Sequence, residues 1–273
     1  MTGSRWTRTA AACAAVALGL GSPLWGAPSP SAPPVISVTA DIMDVDAVAR
    51  VVTATGRVRI ADGVTTATAQ RATLYQREGR GVLSGGARVV APTGVLEASV
   101  VTITYVGRVI TRIAARGSAS LKSRTVAVAA GAVTMTLAEE LVTAEEAVRI
   151  TSPPDIVATG ARLWYHRARE AATLEGGARL QNRDGIIGGE RIESTGRWAR
   201  ATVTGSVWSR FRDIEIRSRA AEYDRAEQKA IFAGDVQISQ PGRVLVTERA
   251  TVWYGSGRIV AEGATRVRLE TPP

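Results

Sequence analysis

The stretch AEYDRAEQKAIFAGDVQI, Ala221 to Ile238, decides the fold. Around Ala221 and Tyr223, small or apolar residues alternate with polar ones. A polar break runs from Asp224 to Lys229, and the alternation resumes through Ala230, Phe232 and Gly234 to Val236 and Ile238. A period of two over segments this short reads as two half-buried β-strands joined by a hairpin turn.

The same unit recurs along the chain. The glycine-centred strand is anchored at Gly56, Gly86, Gly117, Ala147, Gly177, Gly205, Gly234 and Gly263, at intervals of 28 to 31 residues. Its companion strand is anchored at Met43, Ala72, Val101, Val133, Ala161, Ile192, Ala221 and Ala250, at intervals of 28 to 32 residues. A fixed beat of this length marks a repeat architecture. Eight two-strand units predict 16 antiparallel strands. Asp62-Gly63, Asp184-Gly185 and Pro241-Gly242 fall between the alternating runs, where tight turns belong. The patch Ala138 to Val148, with its two Glu pairs, reads as turn plus strand because the beat passes through it.

A glycine in mid-strand weakens a strand and commonly marks a bend or a sheet corner. Repeated in every second strand, it predicts an all-β, elongated two-sheet jelly roll with an open apolar groove between the sheets. After each glycine, Val58 and Ile60, Val89 and Ala91, Ala119 and Leu121, Ala178 and Leu180, and Val236 and Ile238 point to one face. Arg57, Arg59, Arg88, Arg179, Asp235 and Gln237 point to the other. In the companion strands Leu74, Ile103, Met135, Leu163 and Val252 take the apolar face, with Tyr105, Tyr165, Tyr223 and Tyr254 on it or at its rim. Leu74, Ile103, Leu163 and Val252 hold equivalent positions in different repeats and are expected to line one continuous channel.

The 273 residues suffice for a large all-β domain, and 45% apolar with 22% charged content is that of a folded chain. The formal charge of +9 favours anionic partners. Only Lys122 and Lys229 are lysines, and no block of five like charges occurs, so no nucleic-acid arm is present. Residues 1–27 read as a secretory signal peptide, with Arg5 and Arg8 before the apolar run Ala10 to Leu20 and small residues at Gly26 and Ala27. That run is too short for a membrane span, and an uncleaved anchor is the alternative. Pro28, Pro30, Pro33 and Pro34 make residues 28–35 an extended linker before a β-domain over 36–270. Localisation in the periplasm is the expectation.

Catalytic chemistry finds little purchase. Cys13 lies in the signal segment and His166 is the one histidine, so disulfides, cysteine-ligated zinc and histidine-pair metal motifs are excluded. No nucleophile elbow is present. Scattered turn carboxylates read as a solvated rim rather than a glycosidase pair. No enzyme activity and no cofactor are expected. Trp164, Trp198, Trp208 and Trp253 read as core or rim packing, with ligand stacking as the alternative.

The beat seen in TAQRATLY…LSGGARVV, ATGARLWY…LEGGARL, RSRAAEYD…FAGDVQI and TERATVWY…AEGATRVRL resembles the OstA-like domain of lipopolysaccharide transport. That family includes LptA, LptC and the N-terminal part of the outer-membrane assembly protein. The resemblance spans about Val35 to Leu269. It departs at Ala147, which replaces the anchor glycine, and in the glycine-rich companion strand at Gly188-Gly189. It implies a V-shaped β-jelly roll whose groove carries acyl chains of lipopolysaccharide or a related lipid. Val58, Ile60, Leu74, Val89, Ile103, Leu121, Met135, Leu163, Leu180, Val236, Ile238 and Val252 would line that groove. It also implies LptC-like and outer-membrane partners, joined by edge-strand addition at about Val38 to Met43 and Val267 to Leu269, with possible head-to-tail self-association. Pro272-Pro273 could instead blunt the last edge. The expected function is shielding and bridging of the lipid from inner to outer membrane. The alternatives are an anchored LptC-like component, a fusion of two family modules, a 16-stranded outer-membrane barrel, and a solenoid whose apolar face is closed core.

Overall fold

The structure is a computed structural model and describes residues 37–61, 65–92, 94–107 and 109–269. The expected signal peptide, the expected proline linker, the expected Asp62-Gly63 turn and Pro272-Pro273 lie outside the described residues. The chain divides into two compact units, Met1–Glu139 and Glu140–Pro273. Among the described residues there is no α-helix, and no helix is long and apolar enough to cross a membrane.

Unit 1 holds β1 (Ser37–Thr39), β2 (Ile42–Asp46), β3 (Val51–Ala61), β4 (Thr66–Tyr75), β5 (Arg80–Ala91), β6 (Gly94–Val106), β7 (Val109–Ser123) and β8 (Ala127–Thr136). From β2 onward each strand pairs antiparallel with the next, and β1 pairs with the second half of β3. Unit 2 holds β9 (Leu141–Ser152), β10 (Ile156–His166), β11 (Ala171–Gln181), β12 (Ile186–Thr195), β13 (Arg200–Phe211), β14 (Ile214–Asp224), β15 (Lys229–Gln240), β16 (Arg243–Trp253), β17 (Arg258–Glu262) and β18 (Arg266–Leu269). It is the same meander, except that β17 and β18 both pair with β16.

The 18 strands among the described residues exceed the expected 16 for a local reason. The first companion strand breaks at Asp41 into β1 and β2, and the last glycine strand breaks at Gly263 into β17 and β18. The turns at Asp184-Gly185 and Pro241-Gly242 fall between strands, and Leu141–Ser152 is strand after a turn.

Separate facing sheets are not the construction. In each unit the strands run on through their glycines and bend there, so the two packed faces belong to one continuous meander. At Gly56 and Arg57 both residues are left-handed, with φ of 78° and 43°, and together they stand opposite the single Gln70 of β4. Two residues against one is a β-bulge, which bends the strand and raises its twist. Along the other edge of β3 the corner meets Asp41, whose N–H donates to the Gly56 carbonyl, and a Cβ on Gly56 would fall 2.4 Å from Asp41 Oδ2. Glycine is required there by space as well as by φ. The same shift recurs in nearly every pairing, at Gly85-Gly86, Gly117-Ser118, Gly176-Gly177, Gly205-Ser206 and Gly234-Asp235.

The bend folds apolar faces together. In unit 1, Val89, Ala91 and Leu96 from one side of the corner meet Ile103, Ile113 and Met135 from the other around a small shared void. Outward Arg57, Arg59, Arg88, Arg179, Asp235 and Gln237 are exposed. A membrane barrel shows lipid an apolar band, and this outward face is the reverse.

Strand β9 makes the same bulge without glycine, with Glu146 at φ 67° and Ala147 at φ 55°. A left-handed L-residue costs about 1–2 kcal/mol, and glycine carries an entropic cost of about 0.5–1 kcal/mol in return. Glu146→Gly is therefore expected to stabilise the protein by about 0.5–1 kcal/mol. Urea unfolding checks this, and an unchanged or lower midpoint refutes it.

Candidate functional site

Alternation places the predicted groove residues inside. Of the 12, Val58, Ile60, Leu74, Val89, Ile103, Met135, Leu163, Leu180, Val236, Ile238 and Val252 are buried, and Leu121 is half-buried. The fold divides them between two interiors. Val58, Ile60, Leu74, Val89, Ile103, Leu121 and Met135 are in unit 1; Leu163, Leu180, Val236, Ile238 and Val252 are in unit 2.

The two interiors are filled differently. Both pack many alanines among their aliphatics, such as Ala54, Ala67, Ala87 and Ala115 in unit 1 and Ala158, Ala178, Ala221 and Ala250 in unit 2. Alanine leaves volume that its neighbours must close. In unit 1, where no buried Phe or Tyr ring lies among the described residues, they do not close it fully, and a cavity of about 70 Å³ remains. Val38, Met43, Val52, Ala54, Ile60, Ala72, Leu74, Gly81, Leu83 and Ile103 are among its lining residues. A water molecule needs roughly 10–15 Å³ measured this way. The space is thus several times larger and almost wholly apolar, a lining that suits hydrocarbon. Ile103 also borders a second void of about 10 Å³ with Val89, Leu96, Ile113, Leu121 and Met135. Both voids therefore lie along one interior.

The mouth of the larger cavity lies beside the first strands. Met43 is 49% exposed, and Ile42 and Val45 on the same strand are exposed too. All of β2 is exposed, with one edge on β3, and among the described residues no strand pairs along its other edge. Open apolar volume and a free strand edge therefore adjoin each other.

Unit 2 is plugged by aromatic rings. Phe211 stacks on Tyr254 at 5.5 Å, Tyr254 stacks on Tyr223 at 5.4 Å, and Phe232 meets Phe211 edge-on at 6.4 Å. The phenols are anchored. Asn182 donates to Tyr223 Oη at 2.9 Å, and Tyr254 donates to the Asp224 carbonyl at 3.1 Å. Burial pushes both phenols above the ordinary tyrosine range, so they stay neutral. An interior void beside them, between Ile156, Leu180, Ile187, Phe211 and Tyr223, measures about 10 Å³. That is no more than one water.

A wider depression, about 360 Å³, lies elsewhere in unit 2, across Glu193, Thr195, Arg200, Thr202, Glu222, Asp224 and Lys229. Arg200 is held by Asp224 at 3.0 Å, Lys229 by Glu227 and Glu193 by Arg191. Its lining mixes apolar and charged groups and carries more carboxylates than cations, which suits neither an acyl chain nor an anionic headgroup.

Sequence reasoning missed the lining residues Val38, Val52, Ala54, Gly81 and Leu83, because a side chain's own size carries no sign that a neighbour fails to fill the gap. It also missed the aromatic plug. A signal was available: both phenylalanines and the pair Tyr223 and Tyr254 fall between positions 211 and 254. Trp198 is buried, while Trp164, Trp208 and Trp253 are half-buried beneath Arg162, Arg179 and Arg258. Among the described residues no group of three or more His, Cys, Asp and Glu could hold a metal.

The family described as LptA/(LptD N-terminal domain) LPS transport protein matches residues 37–197, more than half of the chain. No curated protein sequence matches it. Among solved structures, it is similar to LptH from Pseudomonas aeruginosa, the LptA-homologous periplasmic component of the lipopolysaccharide transport device. The TM-score is 0.40 at 10% identity, over 43% of this chain and 95% of that one.

Proposed function

The chain belongs to the LptA and LptD N-terminal-domain family of lipopolysaccharide transport proteins, and from that we propose that it is a non-enzymatic periplasmic carrier that shields acyl chains of lipopolysaccharide inside unit 1. The single observation behind this is the apolar cavity of about 70 Å³ between Met43, Ala54, Leu74 and Leu83. Each methylene moved from water into such a space gains about 0.8 kcal/mol. The plugged interior of unit 2 favours a supporting role for that unit.

The exposed edges of β2 and β18 favour strand addition to inner-membrane and outer-membrane components of the same machinery, or to a second copy. Val267 and Leu269 on β18 are 57% and 74% exposed, which is a liability for an edge left bare. Addition of a partner strand covers them and places successive apolar interiors in line.

Photo-crosslinking groups placed in the native protein test the shielding. Groups at Leu74 and Ile103 are expected to capture lipid, while groups at Leu163, Val252 and the outward Arg57 are expected to capture none. Equal capture from all five positions would sink the assignment to unit 1. For the bridge, the pair Val267→Pro and Leu269→Pro is expected to abolish partner binding with circular dichroism unchanged. Undiminished binding would remove β18 as the contact.

A further inference from the structure

The outer face of unit 2 carries a row of residues in direct cross-strand register that acyl shielding does not use. Arg179 on β11 stands opposite Gly188 on β12, Gly188 opposite Trp208 on β13, and Trp208 opposite Arg217 on β14. The row continues through β15 and β16 to Arg266 on β18. Gly188 is one of the glycines that set this companion strand apart in the sequence, and its φ is not left-handed. Its reason is space: a Cβ there would fall 2.7 Å from Cε2 and Cζ2 of Trp208. The indole therefore lies directly over the β12 backbone, burying Gly188 while remaining half-exposed itself. The Arg179 guanidinium is 5.5 Å from the ring centroid, within cation–π range.

Packing alone would account for a ring over a glycine. It does not account for the charge. In the flanking rows of the same face, Arg210 is paired with Glu215 at 2.8 Å and Arg219 with Asp235. Among the described residues, no carboxylate pairs with Arg179, Arg217 or Arg266, and all three are exposed. An aromatic plane is thus held rigid by a glycine notch, with an unpaired guanidinium on each side. A guanidinium matches a phosphate through two parallel hydrogen bonds. A sugar ring offers its C–H edges to the negative face of an indole.

We propose that Arg179, Trp208 and Arg217 form a binding platform for a phosphorylated saccharide, with the sugar against the indole and the phosphate held by the guanidinium groups. The proposal rests on the lipopolysaccharide-transport reading only for the source of the ligand, a glycolipid headgroup. A soluble sugar phosphate offers the same chemistry.

The test uses the mature chain with 15N-labelled indoles. It is titrated separately with the delipidated phosphorylated oligosaccharide of lipopolysaccharide, with glucose 6-phosphate, with inorganic phosphate and with phosphatidylglycerol vesicles. The oligosaccharide is expected to shift the Trp208 indole resonance. Arg217→Ala, an exposed change that leaves the fold intact, is expected to weaken binding at least 10-fold, and Arg210→Ala to leave it unchanged. Inorganic phosphate is expected to bind at least 10-fold more weakly than the saccharide. Binding of glucose 6-phosphate as tight as that of the oligosaccharide upholds the platform and assigns it to soluble sugar phosphates. No shift, equal affinity in Arg217→Ala, equally tight inorganic phosphate, or binding to vesicles alone overturns it. The oligosaccharide has no acyl chain, so loss of the unit 1 cavity leaves this binding untouched. Failure of the platform and failure of acyl shielding are thereby separate results.

Discussion

Replacing Ala54 with phenylalanine is expected to lower lipid capture by the native protein at least 10-fold. Ala54 is 3% exposed and lines the unit 1 cavity with Met43, Ala72 and Leu83. It pairs across the sheet with Met43 on one side and Ala72 on the other, so a ring at position 54 enters the middle of the space. A 10-fold loss corresponds to about 1.4 kcal/mol, or roughly two methylenes kept out of the apolar lining. Overpacking itself costs about 1–3 kcal/mol in stability, which a folded unit can bear and which urea unfolding measures separately. Arg59→Phe on the outer face of the same strand is the control and is expected to leave capture unchanged. Co-purified lipid measured by mass spectrometry is the readout. Undiminished lipid in a folded Ala54→Phe protein would show that the acyl chain does not occupy this cavity.

Phe232→Ala is expected to be the costliest single truncation, at about 3–5 kcal/mol. Phe232 has no exposed surface, lies opposite Ala221 on β14 and Ala250 on β16, and meets Phe211 edge-on. Small alanines on both sides mean that no neighbour can collapse into the gap, which is the condition for the full cavity cost. Leu74→Ala in unit 1 is expected to cost less, about 2 kcal/mol, because Leu74 already borders empty space and makes fewer contacts to lose. Urea unfolding of both variants against the parent protein gives the two values directly. A smaller cost for Phe232→Ala than for Leu74→Ala would contradict a closed interior in unit 2 and an open one in unit 1.

Both experiments address a difference between the units that the repeat hides. Leu74 and Val252 hold equivalent places in the sequence beat, yet one borders a cavity and the other, with no exposed surface, lies in a unit whose rings close its interior. Repetition of pattern did not bring repetition of volume. The arginines behave similarly. Arg179 and Arg219 are both outward and both exposed, but only Arg219 has a carboxylate within reach. Their partners come from other strands, and register decides which acid meets which base.

The sequence by itself determined the strands, their antiparallel order, the dry and wet faces and the corners. These depend on residues within one hairpin: a period of two assigns each side chain to a face, and a glycine such as Gly56 supplies the left-handed backbone that a bend requires. Only the tertiary structure decided which part of the dry face is open and where unpaired charge collects on the wet one. The unit 2 interior is closed by Phe211, Tyr223 and Phe232 from three successive strands and by Tyr254 from the turn just after β16, and these rings meet only after the sheet bends. Whether a cavity survives depends on the summed volume of side chains converging from distant positions, and close packing makes that sum sensitive to single rings. Alternation records the direction of each side chain but not the space left between those that meet.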